Sequence, residues 1–169
     1  VRRFNNLYGN VFPEPKTLLT PTPRIPGTDG RKMSKSYGNA VYLKDSPEVI
    51  REKIKPMVTD PARKRRTDPG TPEICPVFDL HRAFSPPESQ AWAAEGCRTA
   101  GIGCLDCKGR LIEHLLHRLE EIHERRPRFA SHPDDVWDIL KEGSKRARET
   151  ARATMEEVRS AMKIRYPIS

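Results

Sequence analysis

No apolar run in this sequence approaches the roughly 20 residues that a membrane-spanning helix needs. No segment shows the charged, apolar and small-residue order of a signal peptide. A cytoplasmic chain with no membrane partner is the expectation. Aromatic residues are scarce at 7%, and hydrophobic residues reach only 36%, so a core is possible but not a large one. There is no internal repeat and no low-complexity tract, which excludes solenoids and repeat arrays. Acidic side chains fall short, 23 against 31 Lys and Arg, leaving a formal net charge of +8. That balance points to a polyanionic partner, most often nucleic acid. An initiator Met is missing too. "VRRFNNLYGN" starts in mid-pattern, with Phe4, Leu7 and Tyr8 at helical spacing. The expectation is a chain whose beginning has been removed.

Proline divides what is present. Pro13, Pro15, Pro21, Pro23 and Pro26 forbid a continuing helix after the first residues, and "KTLLT" between them reads as a short extended run. A helix should start at Ser46, a good N-cap, with Pro47 at the first position and Glu48 complementing the dipole. Val49, Ile50, Ile54 and Met57 give its buried face, and Pro56 sits near its end. Short apolar pieces follow between residues 75 and 110. From Lys108 onward Leu111, Ile112, Leu115, Leu116, Leu119 and Ile122 form a helical stripe that "RRPRFASHPDD" should break. A last helix is predicted from about Asp134 to Lys163, its stripe being Val136, Leu140, Ala147, Ala151, Met155, Val158 and Met162.

The stretch "GTDGRKMSKSYGN", Gly27–Asn39, has too little apolar content for core. Gly27, Gly30 and Gly38 give it backbone freedom. Lys32 and Lys35 are point charges on flexible stems, and Ser34 and Ser36 add hydroxyl donors. Such a loop can fold over a triphosphate and neutralise charge as pyrophosphate leaves. Its chemistry alone also suits an ordinary flexible surface loop.

Four cysteines, Cys75, Cys97, Cys104 and Cys107, are spaced C-x21-C-x6-C-x2-C. A cytosolic protein would not use them for structural disulfides. A [4Fe–4S] cluster, a four-thiolate zinc site and unligated thiols remain open, with metal favoured. Basic residues gather in two places. Arg63, Lys64, Arg65 and Arg66 form an unbroken run, and Lys141, Lys145, Arg148 and Arg152 recur on one face of the last helix. Both are candidate tracks for a nucleic-acid backbone. His81, His114, His117, His123 and His132 have no metal-ligand spacing, and Trp92 and Trp137 read as packing residues.

"KMSKS" at Lys32–Ser36 resembles the second catalytic motif of class I aminoacyl-tRNA synthetases. The wider run "RIPGTDGRKMSKSYGN" is similar to the tryptophanyl-tRNA synthetase family, as are "RRFNNLYGNVFPEP" and "TDPARKRRTDPGTPEICPVFDLHRAF". "ILKEGSKRARETARATMEEVRSAM" fits more loosely. The resemblance implies ATP-dependent activation of tryptophan with Mg²⁺, transfer to tRNA(Trp), and a homodimer. It assigns the ATP phosphates to Lys32 and Lys35, with Met33, Ser34 and Ser36 completing the loop. The family's HIGH-type motif and nucleotide-binding half are absent from these residues, so the chain resembles the C-terminal part and is expected not to form the adenylate alone. Some bacterial members carry a [4Fe–4S] cluster on C-x22-C-x6-C-x2-C after a "CPVF" run. Here "CPVF" begins at Cys75, and the first gap is one residue shorter. A loop between the first two ligands would absorb that deletion, and the resemblance favours the cluster over zinc. The expected architecture is mainly α. Residues 1–45 end a class I catalytic domain, and 46–169 form a helical tRNA-binding domain with the Cys-rich metal segment 75–107. A tyrosyl-type synthetase fragment and a metal-stabilised RNA-binding module without catalysis are the alternatives.

Overall fold

Proline opens most of the helices in this chain. Pro47, Pro76, Pro87 and Pro133 each lie in a helix's first turn. There the missing N–H costs no intrahelical bond and the fixed φ is already helical. The computed structural model describes residues 1–164. Among the described residues the α-helices are α1 (Arg2–Tyr8), α2 (Pro47–Ile54), α3 (Pro76–Phe84), α4 (Pro87–Arg98), α5 (Cys104–Ser131) and α6 (Pro133–Ala161). Short 3₁₀ turns lie at Lys35–Tyr37 and Pro72–Ile74. The β pairing among the described residues is an isolated antiparallel bridge between Pro26 and Lys32. The mainly α expectation therefore holds, while "KTLLT" pairs with no strand.

Two compact units emerge: Leu19–Pro127, and Val1–Leu18 together with the described residues from Arg128 onward. In the first, α2 starts as its sequence prescribes, the Val49 N–H donating to Ser46 Oγ at 3.4 Å. It ends at Ile54, ahead of Pro56. Ile50, Ile54 and Met57 are buried with Val77 and Leu80 of α3 and with Leu111, Ile112, Leu115 and Leu119 of α5. Each such side chain contributes about 1.5–3 kcal/mol by leaving water. Lys53 ties α2 to the preceding segment, donating to Asp45 at 2.5 Å and to the Ala40 carbonyl at 3.0 Å. In the second unit, the Phe4 ring packs on Tyr8 and Phe12, and the Asn5 amide both donates to and accepts from the Phe12 backbone. Asp134 and Asp135 complement the dipole at the start of α6.

The structure differs from the sequence expectations in four places. The stretch between Cys75 and Cys97 is not a loop: α3 and α4 fill it, joined by Ser85 and Pro86. α5 begins at Cys104 rather than Lys108, because the Asp106 carboxylate accepts the Gly103 N–H at 2.8 Å and caps the turn. α5 also runs through Pro127 to Ser131. Pro127 removes one N–H, which one missing bond among good helix formers such as Glu124, Arg125 and Arg126 does not overcome. Last, most of the α6 stripe lies at the surface: Val136, Leu140 and Met155 are exposed and Val158 is buried. Trp137, expected as a packing residue, is 61% exposed.

Leu111, with no exposed surface, is the test of the first unit's core. Leu111→Ala should cost about 2–5 kcal/mol of unfolding free energy by chemical denaturation. A cost well below 1 kcal/mol would contradict the core described above.

Candidate functional site

A buried amide holds the lysine loop together. Asn39, almost fully buried, accepts the Ser34 N–H at 2.8 Å and donates to Asp29 Oδ1 at 2.7 Å and to the Lys32 carbonyl at 3.3 Å. Its own carbonyl accepts the Thr28 N–H at 3.0 Å. Asp29 also accepts from the Arg31 N–H and Nε–H, so hydrogen bonds from Asn39 first and then Arg31 hold its carboxyl below the usual range. The loop closes on itself through the Gly27 N–H to the Arg31 carbonyl at 2.7 Å and the Met33 N–H to the Ile25 carbonyl at 3.1 Å. Ser34 Oγ accepts the Ser36 N–H, starting the 3₁₀ turn that carries Lys35. Lys32 and Lys35 are exposed, and no carboxylate among the described residues engages either ammonium. The arrangement is a fixed base presenting two free cations.

The four thiols converge from separate elements. Cys75 precedes α3, Cys97 lies in the last turn of α4, and Cys104 and Cys107 share the first turn of α5. Burial first, then the neighbouring thiols Cys75, Cys97 and Cys104, push Cys107 up to about 12. Burial also pushes Cys97 up. The Arg63 guanidinium pulls against it by charge and hydrogen bond, while Cys75 and Cys104 add to the rise. Among the described residues, no group of three or more His, Cys, Asp or Glu side chains closes around the position of a single metal ion. The donor set itself, four thiols, is the one that zinc or an iron–sulfur cluster takes.

His81 joins this region, and the spacing of the histidines did not show it. It is wholly buried, with Nε2 3.4 Å from Cys107 Sγ and 3.2 Å from the Cys107 carbonyl. A carbonyl only accepts, so Nε2 carries the proton and Nδ1 accepts from the Ser85 hydroxyl at 2.8 Å. Burial draws its pKa down to about 4, leaving the imidazole neutral at ordinary pH. One signal was available: helical phase places His81 beside Val77, Leu80 and Phe84 on the buried face of α3. His114 is half-buried against the Ser89 hydroxyl.

The basic run divides. Lys64, Arg65 and Arg66 are exposed around a cleft of ≈ 450 Å³ that also reaches Cys104 and Asp106. Arg63, expected among the nucleic-acid contacts, is only 8% exposed. It donates to the carbonyls of Arg66 and Ile102 and lines the same cleft as its three neighbours. On α6, Lys141, Lys145, Arg148 and Arg152 are all exposed and line one recess with Trp137 and Leu140.

The family model described as tRNA synthetases class I (W and Y) matches residues 1–120. The chain is 52% identical over 164 residues to the tryptophan–tRNA ligase of Aquifex aeolicus, covering 96% of this chain and 42% of that protein. It is 51% identical over 166 residues to the tryptophan–tRNA ligase of Thermotoga maritima, covering 98% of this chain and 51% of that protein. The chain thus spans about half the length of the curated relatives it matches. Among solved structures, the tryptophanyl-tRNA synthetase of Campylobacter jejuni complexed with ADP and tryptophan superposes with a TM-score of 0.71 at 26% identity. That match covers 96% of this chain and 51% of the other. With the lysine loop lying inside the matched residues, the chain belongs to the W and Y family of class I tRNA synthetases.

Proposed function

We propose that this chain is the part of a tryptophan–tRNA ligase that supplies the phosphate-gripping loop and a tRNA-facing helical region. The observation that carries the reading is the pair of unengaged ammonium groups, Lys32 and Lys35, on a loop whose base Asn39 fixes. Relatives named as tryptophan–tRNA ligases support the choice of amino acid. In the reaction the carboxylate of tryptophan attacks the α-phosphorus of ATP, a carboxyl oxygen–phosphorus bond forms, and the bond to pyrophosphate breaks. Negative charge gathers on the departing pyrophosphate, where the Lys32 and Lys35 ammonium groups neutralise it; Mg²⁺ bound with the nucleotide would supply further positive charge there. Met33, Ser34 and Ser36 complete the loop. The tryptophanyl group then passes to the terminal adenosine of tRNA(Trp). In this reading residues 1–45 end the catalytic part and 46–169 face tRNA. The whole enzyme is a cytoplasmic homodimer.

The tRNA backbone is met by Lys64, Arg65 and Arg66 and by Lys141, Lys145, Arg148 and Arg152. The thiol group is read as a [4Fe–4S] site held by Cys75, Cys97, Cys104 and Cys107. What favours the cluster over zinc is the "CPVF" run at Cys75 and the C-x21-C-x6-C-x2-C spacing. Its chemistry here is structural, because aminoacylation transfers no electrons. Metal binding would draw the thiol protons off and cross-link α3, α4 and α5.

In an intact ligase carrying this sequence, Lys35→Ala should lower the rate of adenylate formation about 10²–10³-fold with little change in KM. An unchanged rate would remove the loop from catalysis. Anaerobically purified protein should be brown, with about four irons and four sulfides per chain; a colourless protein with stoichiometric zinc would end the cluster reading. Arg148→Ala combined with Arg152→Ala should weaken tRNA binding and reduce its salt slope by about two. If neither changes, α6 is not a tRNA contact.

A further inference from the structure

Trp137 presents a bare aromatic face beside a row of cations. The ring stands on α6 and is 61% exposed, in a chain with only two tryptophans. Among the described residues no second ring and no Lys or Arg side chain stacks on it. The other tryptophan is the contrast, since the Arg110 guanidinium covers the Trp92 ring at 4.6 Å. A single exposed apolar residue needs no explanation by itself. What surrounds Trp137 supplies one.

The register of α6 sets the surroundings. At about 100° per residue, Lys141 and Arg148 at i+4 and i+11 point within about 40° of Trp137, and Lys145 and Arg152 flank them. The four cations follow the ring at intervals of about 5–6 Å along the axis. Ring and cations line one recess of ≈ 470 Å³, with Leu140 as an apolar wall and Glu149 as its one carboxylate among the described residues. Lys141 pairs with Asp138 at 3.2 Å, a weak surface pair that yields to a phosphate. No carboxylate among the described residues engages Lys145, Arg148 or Arg152.

A row of cations attracts any polyanion, and the flat ring narrows the choice. Paired bases inside a double helix already have both faces stacked, and an acidic peptide offers no such face. An unpaired base has a free face, and every base stacks on an aromatic ring. A second copy of the chain is a poor occupant, because an isologous contact on this face would set the four cations against those of its partner.

We propose that Trp137 is a stacking platform for an unpaired base of a single-stranded RNA segment whose phosphates run along Lys141, Lys145, Arg148 and Arg152. The inference rests on the tRNA-facing reading of α6 above and refines it. The cations supply affinity, and the ring selects single-stranded over double-helical RNA.

The test uses the 169-residue chain, a tRNA(Trp) transcript and a blunt RNA duplex. Affinity is measured against salt for the parent and for Trp137→Ala, Trp137→Phe and Trp92→Phe, with helicity checked by circular dichroism. Trp137→Ala should bind the transcript about 5–150-fold more weakly at an unchanged salt slope, because the ring carries no charge. Its affinity for the duplex should match the parent's, and Trp137→Phe should keep most of the transcript affinity. Transcript binding should quench the indole fluorescence of Trp92→Phe but not that of Trp137→Phe. Parent-like transcript affinity in Trp137→Ala would overturn the proposal. So would an equal loss of duplex affinity, or a parent oligomer that Trp137→Ala dissociates. A parent chain that binds no transcript, or one whose binding ignores Arg148→Ala with Arg152→Ala, would overturn the tRNA reading of α6 itself. Binding that depends on those two arginines and not on Trp137 would overturn the stacking alone.

Discussion

Lys108 places an ammonium where water does not reach, and much of the first unit is arranged around it. Its two acceptors are the carbonyl of Lys55, the C-cap of α2, and that of Met57 just beyond it. A cation there also answers the negative end of the helix dipole. The bond runs from the helix that carries Cys104 and Cys107 to the segment after α2. Val58, the next residue of that segment, donates its N–H to the Thr28 carbonyl at 3.0 Å. Two steps of hydrogen bonding therefore connect the thiol-bearing helix to the root of the lysine loop. Burial pulls the Lys108 pKa down while the nearby Cys104, Cys75 and Cys107 thiols push it up.

The loop itself divides labour between its root and its tip. At the root, Asn39 uses its side-chain oxygen, its side-chain nitrogen and its backbone carbonyl. At about 1 kcal/mol each, such bonds offset part of the entropy lost in ordering a short Gly-rich segment. At the tip, the Arg31 guanidinium lies 4.6 Å over the Tyr37 ring, and Lys32 and Lys35 are exposed. A lysine is the better tool here. It follows a phosphate that moves as its bond breaks, which a planar guanidinium fork does less well. A fixed root with mobile ammonium groups suits a charge that changes place during reaction.

Part of this was legible in the residues. The Ser46–Pro47–Glu48 start of α2, the buried stripe of α5 from Leu111 to Leu119, and the loop's chemistry all follow from local pattern. Proline misled in both directions. Pro76 and Pro87 begin helices where only short apolar pieces were read, while the Pro127 segment looked like a break and is contained within α5. The α6 stripe has the right period but little to cover it in its own unit, since amphipathicity gives a face and not the partner that buries it. Arg63 could not be separated from Lys64, Arg65 and Arg66 by composition. Only the fold shows that the Asp60–Gly70 segment turns that one side chain inward.

Gly30 shows how closely the two candidate sites are built together. Its φ of +80° is a conformation that side-chain-bearing residues rarely adopt. A Cβ there would also come within 3.1 Å of both Val58 and Pro76, closer than ordinary contact. Pro76 is the residue after Cys75, and Val58 the one after Met57, a Lys108 acceptor. The wall behind the lysine loop is therefore made from the first thiol's own turn and from the segment that the buried lysine holds. Replacing α3 and α4 by one long flexible connection would free that wall. Two helices joined by only Ser85 and Pro86 keep it in place, because a short rigid connection fixes where Pro76 stands relative to the core beneath it.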